Sequence, residues 1–151
     1  MATKLFTVQE IKIRYRPRKL EHLPAITSSQ ACAEILLQFF NKDTIALQEE
    51  FIVLYLDRAC NIIGVHCLSY GGITGTVADI RLILGVALKA ACTQLIMAHN
   101  HPSGNLQPSS ADKELTRKVK EAGTFMDIKV LDHIIITPSR RYTSFADEGL
   151  L

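Results

Sequence analysis

Nowhere in the 151 residues does an apolar run approach the length needed to cross a membrane, and the opening residues lack the long apolar core of an export signal. These absences point to a cytoplasmic protein with no membrane partner. Charge of one sign is scarce too: a net +2 is too small an excess to argue by itself for nucleic acid. The four cysteines, Cys32, Cys60, Cys67 and Cys92, include no Cys-x-x-Cys pair, which excludes a zinc ribbon and leaves thiols expected to be buried and reduced. The glycine-rich run 71–76 lacks both the Lys-Ser/Thr of a phosphate loop and the spacing of a dinucleotide fingerprint, so it reads as a flexible connection bordering a groove. Nearly half of the chain is hydrophobic and a fifth is charged, the balance of an ordered globular protein. Its length suits one domain that buries most of its apolar surface without disulfides or extra metals.

Residues 4–14 alternate imperfectly and suggest an edge strand. The segment 12–19 that continues it is the one local basic run, a candidate for weak DNA association that an edge-protecting solvated strand explains more simply. Ser28 and Ser29 cap a helix over 29–41, where Ala31, Ile35, Leu36 and Phe39 fall at helical spacing. Residues 48–57 read as a strand apolar on both faces, which belongs inside a covered sheet. A turn at 58–61 joins it to a second strand, 62–68. His66 and Cys67 point to opposite faces there and cannot share an ion, so His66 is taken as structural. A helix follows over 79–92, then a short buried strand from Gln94, a helix from Ser110 that ends at Gly123, and an apolar strand over 127–136. The outer face of that last helix carries Lys113, Arg117, Lys118 and Lys120, a solvated face or an anion-binding one. The order of elements predicts an α/β domain with a mixed sheet flanked by helices.

The chemistry concentrates between His99 and Asp112. His99 and His101 are two apart at a strand end, where residues i and i+2 face the same way, so both imidazoles address one centre. Pro102, Ser103 and Gly104 turn the chain, and Ser109 then caps a helix with Asp112 one turn in. Two neutral nitrogens and one carboxylate oxygen leave a tetrahedral ion one open position, the arrangement of a catalytic rather than a structural zinc. Residue type alone leaves manganese, iron and cobalt open. Ser109-x-x-Asp112 is also an ordinary capping pattern.

His99-Asn100-His101-Pro102-Ser103-Gly104 followed by Pro108-Ser109-x-x-Asp112 resembles the metal-binding signature of the JAB/MPN (JAMM) metallohydrolases, and within them the bacterial RadC-like branch. The resemblance runs from about residue 26 to the end. It implies a three-layer fold related to the cytidine deaminases, one catalytic zinc, and hydrolysis of peptide or isopeptide bonds, with a traditional DNA-repair label and no settled substrate for the branch. It divides the chain into an N-terminal extension, 1–25, and a metallohydrolase domain, 26–151. RadC-type chains often carry a helix-hairpin-helix region ahead of this part, and the first two dozen residues here do not resemble one. The family's early-strand glutamate maps onto Glu49, two residues before Phe51. Alternation puts Glu50 on the opposite face, as the reserve. Where the family has His-Pro-Arg-Glu, this chain has Ala78-Asp79-Ile80-Arg81 and keeps only the arginine. Asp132-His133 resembles the family's Asp-His pair, and a buried histidine satisfied by a hydrogen bond is the favoured account of it.

The resulting expectation is a zinc metallopeptidase or isopeptidase acting on a protein or peptide, with zinc on His99, His101 and Asp112. Glu49 moves the proton, and Ser109 helps stabilise the oxyanion. Three other classes remain open. A nuclease could use the same metal, and the domain could be a noncatalytic scaffold for DNA or protein. A deaminase would need His-x-Glu and Pro-Cys-x-x-Cys, which are absent.

Overall fold

A computed structural model describes residues 24–73 and 75–151, together with Glu10, Lys12, Arg14 and Arg16. The edge strand expected over 4–14, and most of the basic segment 12–19, lie outside these residues. Within that segment Lys12 pairs with Glu10 at 3.2 Å.

The chain runs α1 (Ser29–Leu36), β1 (Glu50–Leu56), β2 (Ile62–Tyr70), α2 (Ile80–Lys89), β3 (Gln94–Asn100), α3 (Ser110–Phe125), β4 (Lys129–Ile136) and β5 (Tyr142–Ser144). The strands form one mixed sheet in the order β2-β1-β3-β4-β5. Only β3 and β4 are parallel, and α3 makes the crossover between them. The expected α/β architecture, a mixed sheet between helices as in the JAB/MPN fold, is the one observed.

Period-two alternation sorts the strand residues between two cores. Ile52, Leu54 and Leu56 of β1, with Ile96 and Ala98 of β3, pack against Cys32, Ala33 and Leu36 of α1. Phe51, Val53 and Tyr55, with Leu95 and Met97, pack against Ile83, Leu84 and Ala87 of α2 and Val119 of α3. Every residue of β1 is buried, Glu50 along with the six apolar residues that follow, as an interior strand covered on both faces requires. The hairpin turn is held by the Asp57 carboxylate, which accepts from Ala59 N at 2.8 Å and from Asn61 N and Nδ2, both at 2.9 Å.

Three helix boundaries differ from the sequence expectation; the helix expected over 79–92 ends at Lys89, and Ala91 beyond its cap turns to a positive φ of 52°. The first helix stops at Leu36 rather than continuing to 41: Gln38 N and Phe39 N fall back on Ile35 O and Leu36 O, and Phe40 enters the core. The buried Glu50 carboxylate then takes Asn41 N at 3.3 Å and Thr44 Oγ1 at 3.1 Å, so a tertiary acceptor replaces further helical turns. The last helix passes Gly123 and ends at Phe125. Gly123 instead marks where the lead into β4 crosses the helix, because a Cβ there would stand 2.5 Å from Ile128 O.

Cys67 packs on the α1 core while His66 pairs with Val53 on the opposite face, so the two share no centre. All four cysteines are free, Cys32 and Cys92 buried and Cys60 and Cys67 partly exposed. Burial pushes the Cys32 thiol up to about 12 and that of Cys92 up to about 11, which keeps both protonated and unreactive. On the outer face of α3, Arg117 is bonded to Glu114 and Glu121, and Lys118 to Glu114, so these two cations are answered by their own helix. Among the described residues no helix is long and apolar enough to cross a membrane.

Candidate metal centre

The parallel pair β3 and β4 sends its carboxyl ends to one edge of the sheet, where the loop after β3 turns into the start of α3; ligand sites in open α/β sheets favour such an edge. His99 is the penultimate residue of β3 and almost wholly buried, on the α2/α3 side. Phe51 of β1 stacks parallel to its ring, with centroids 5.9 Å apart and planes 7° from parallel. His101 follows where the strand ends; its main-chain N donates to Ile136 O, and its Nδ1 lies 2.7 Å from Asn105 O. A carbonyl only accepts, so Nδ1 carries the hydrogen and the neutral ring presents a bare Nε2.

The third residue arrives on α3. Ser109 Oγ accepts from Asp112 N at 3.0 Å while Asp112 Oδ2 accepts from Ser109 N at 2.7 Å, a reciprocal capping box. Capping leaves Asp112 Oδ1 free, 3.2 Å from His99 Nε2, whereas the capping oxygen Oδ2 is also 3.6 Å from His101 Nε2. The hydroxyl of Ser109 uses a lone pair in the cap, which leaves its hydrogen available.

The two Nε2 atoms face one another at 3.0 Å, and one donor atom from each of His99, His101 and Asp112 lies within 4.8 Å of the others. Ligand atoms bound tetrahedrally at the usual zinc distances stand about 3.3 Å apart. The Nε2–Nε2 spacing of 3.0 Å and the 3.2 Å from His99 Nε2 to Asp112 Oδ1 are close to that value, and the 3.6 Å from His101 Nε2 is to the other carboxylate oxygen. One oxygen with both nitrogens stays within 4.8 Å, so the residues present can converge on a small divalent ion. The electrostatics agree. Burial pushes the Asp112 carboxyl up, but the imidazoles of His101 and His99 beside it and the hydrogen bond from Ser109 N outweigh it and hold the group ionised far below the usual carboxylate range. Asp112, which would accept from the protonated ring, raises His101 against the opposing effect of burial, with Asn105 O and the Asp112 and Glu49 charges adding to the rise. The cluster asks for positive charge.

A groove of about 520 Å³ opens beside it, bordered by Glu49, Ile73, Thr76, His101, Ser109 and Asp112 among others. Glu49 therefore shares the groove with two of the three candidate ligands, His101 and Asp112. Glu50 does not: it is buried on the α1 face, bonded to Asn41 and Thr44. Arg81, the surviving residue of the family's helix-entry sequence, pairs with Asp79 at 2.7 Å with its side chain 90% exposed, away from the groove lining.

Sequence reasoning passed over two participants. Asn100 lies between the histidines and so faces the α1 side, where it is fully buried. Its Oδ1 accepts from Glu50 N at 2.6 Å, and its Nδ2 donates to Ile45 O at 2.8 Å and Gln48 O at 2.9 Å, fixing the chain on both sides of Glu49. The second is His133 of β4, expected to be a buried histidine satisfied by hydrogen bonds. It is that, but one of its bonds runs from Nε2 to His99 Nδ1 at 2.8 Å. Phe145 stacks on the other side of its ring, with centroids 4.7 Å apart. Asp132 anchors this aromatic lid, accepting from Ser144 Oγ, Ala146 N and His133 N. Burial is the largest influence on the Asp132 carboxyl and raises it despite those bonds. The sequence signals for Asn100 and His133 are the place of Asn100 between the two candidate ligands and the resemblance of Asp132-His133 to the family's Asp-His pair; neither tells what the side chain bonds.

Comparison with known proteins agrees with this geometry. The family model described as RadC-like JAB domain matches residues 26–150. Relatives named UPF0758 protein are 42% identical over 149 residues in Flavobacterium johnsoniae and 37% over 150 in Porphyromonas gingivalis, in each case 99% of this chain. A third, from Pseudoalteromonas translucida, is 38% identical over 149 residues, or 98% of the chain. The chain spans 63%, 65% and 64% of those relatives' own lengths, just under two thirds. With a match over most of its length and relatives of this identity, the chain belongs to the RadC-like JAB domain family.

Proposed function

We propose that this chain is a zinc-dependent hydrolase of the JAMM type that cleaves a peptide or isopeptide bond with an activated water. The observation that carries the reading is the convergence of donor atoms from His99, His101 and Asp112 within 4.8 Å of one another, with His101 and Asp112 on the wall of a groove that also holds the Glu49 carboxylate. His99 Nε2, His101 Nε2 and an oxygen of Asp112 would hold the ion, which supplies Lewis acidity toward a carbonyl and a water.

The remaining work falls to the chain's own groups. Glu49 accepts a proton from the attacking water as its oxygen bonds the carbonyl carbon, and returns that proton to the nitrogen as the C–N bond breaks. Ser109, its hydrogen free of the cap, donates to the oxygen on which negative charge develops. Ile73, Gly75 and Thr76, with the loop 101–109, border the substrate path.

A phosphodiester substrate is the second reading, in line with the branch's DNA-repair label. It is disfavoured because no lysine or arginine lines the groove among the described residues, whereas Glu49 and Asp112 do, and a polyanion would meet negative charge.

The test is metal analysis of the purified chain followed by assays on isopeptide-linked, peptide and single-stranded DNA substrates. About one zinc per chain is expected. Glu49→Gln should keep that zinc while hydrolysis falls roughly 10²–10⁴-fold. A fully active Glu49→Gln removes the proton-transfer role, and cleavage confined to DNA replaces the peptidase reading with the nuclease one.

A further inference from the structure

Behind His99, away from the groove, lies a line of polar atoms that no step above uses. His99 Nδ1 is 2.8 Å from His133 Nε2, and His133 Nδ1 is 2.6 Å from Thr116 Oγ1. Thr116 Oγ1 is in turn 2.7 Å from the main-chain carbonyl oxygen of Asp112, one helical turn back. His99, His133 and Thr116 are almost wholly buried, so water cannot exchange for any of these partners. We infer that Thr116 and His133 are a positioning pair that fixes His99 as its Nδ1–H tautomer, so that the bare Nε2 faces the ion; this rests on the metal site proposed above.

The direction of the line follows from its fixed end. A carbonyl oxygen only accepts, so the Thr116 hydroxyl spends its one hydrogen on Asp112 O. Thr116 Oγ1 must then accept from His133 Nδ1–H, which leaves His133 Nε2 bare. That nitrogen accepts from His99 Nδ1–H, and His99 Nε2 is left with a lone pair 3.0 Å from its counterpart on His101. Run the opposite way, the same contacts would put a hydrogen on His99 Nε2 and close the site to a cation. The Thr116-to-Asp112 bond is thus what selects the metal-binding tautomer. It also ties His99 to the first turn of α3, the element that carries the third donor.

Packing holds the pair in register. Phe51 meets the His133 ring edge-on at 5.6 Å and Phe145 stacks on it, so the ring has no room to rotate out of the line. His101 shows the contrast: it reaches the same tautomer through a single main-chain carbonyl on its own loop. Outer partners of this kind set the tautomer and the orientation of metal-binding histidines, and their removal typically costs 10–100-fold in affinity.

The experiment measures zinc affinity by competition with a chromophoric chelator, alongside ¹⁵N histidine NMR of the zinc-loaded full chain. His133→Phe keeps the ring's volume between Phe51 and Phe145 but removes both nitrogens, and zinc should bind roughly 10–100-fold more weakly. His133→Gln, whose amide oxygen can accept from His99 and whose NH₂ can donate to Thr116, should restore most of the loss. Thr116→Val, which deletes the anchor alone, should weaken zinc several-fold and mix the His99 tautomers in the NMR spectrum of the metal-free chain. If His133→Phe fails to fold, Thr116→Val decides. Unchanged affinity and an unchanged tautomer signal in the variants overturn the inference while leaving the metal site standing. Equal losses in the Phe and Gln variants, tracking only a lower melting temperature, overturn it as well. A wild-type chain that takes up no zinc overturns the metal site and this inference with it.

Discussion

His99 and His101 lie two residues apart and address the same point, yet the molecule supports them by different means. His99 sits inside the sheet, its ring stacked on Phe51 and its rear nitrogen bonded to a buried histidine of the next strand. His101 stands just past the strand end, its side chain 13% exposed, and is held by a carbonyl four residues on in its own loop. Asp112 belongs with His101, on a helix start whose cap is local. One side of the centre is therefore rigid core, and the other is a short turn that faces the groove. The proposed hydrolytic role would gain from this division: the core side would keep the geometry when the site is empty, and the loop side would leave a substrate a way in.

The largest test of that difference is to remove each histidine in turn. His99→Ala and His101→Ala should each abolish tight zinc binding, with losses above about 100-fold in chelator competition. They should part in the thermal unfolding of the metal-free chain, where His99→Ala opens a cavity among Phe51 and His133 and costs about 3 kcal/mol. His101→Ala should stay within about 1 kcal/mol of wild type. Equal destabilisation would erase the distinction between core side and loop side.

Asn100 sharpens it next. Asn100→Ala strips partners from Glu50 N, Ile45 O and Gln48 O, and should cost about 2–3 kcal/mol in denaturant unfolding. Zinc affinity should hold, because both histidines keep their own supports, while hydrolysis drops as Glu49 loses its fixed backbone. A variant that loses zinc in step with stability would mean that the α1 face also supports the ligands.

The smallest expected effect lies on the loop side. Ser109→Ala removes the cap acceptor for Asp112 N and should cost about 1 kcal/mol in thermal unfolding. If its hydroxyl also answers developing charge, hydrolysis should fall by more than the loss of folded protein explains, with zinc content unchanged.

Where sequence reasoning succeeded, the governing geometry was local. His99 and His101 could be assigned to one centre because strand residues alternate, and the same rule separated Glu49 from Glu50 and His66 from Cys67. The cap at Ser109 and Asp112 follows from a three-residue spacing. It failed where a partner came from afar. Helical spacing carries the first helix five residues past its observed end, because Glu50, nine residues beyond Asn41, takes the amide of that turn. Gly123 has the look of a helix stop, although the crossing of the chain at Ile128 is what requires a glycine there.

The chain's own order of residues thus determined which groups can converge: two imidazoles on one side of an extended segment, a carboxylate one turn into a capped helix, and an acid at the entrance of an apolar strand. Only the tertiary structure decided what stands behind them. His133 meets His99 across 34 residues, and Asn100 reaches Ile45 across 55. Such pairings depend on strand order and register, which bring distant residues into contact through the burial of two whole sheet faces and leave no mark in any short stretch of sequence.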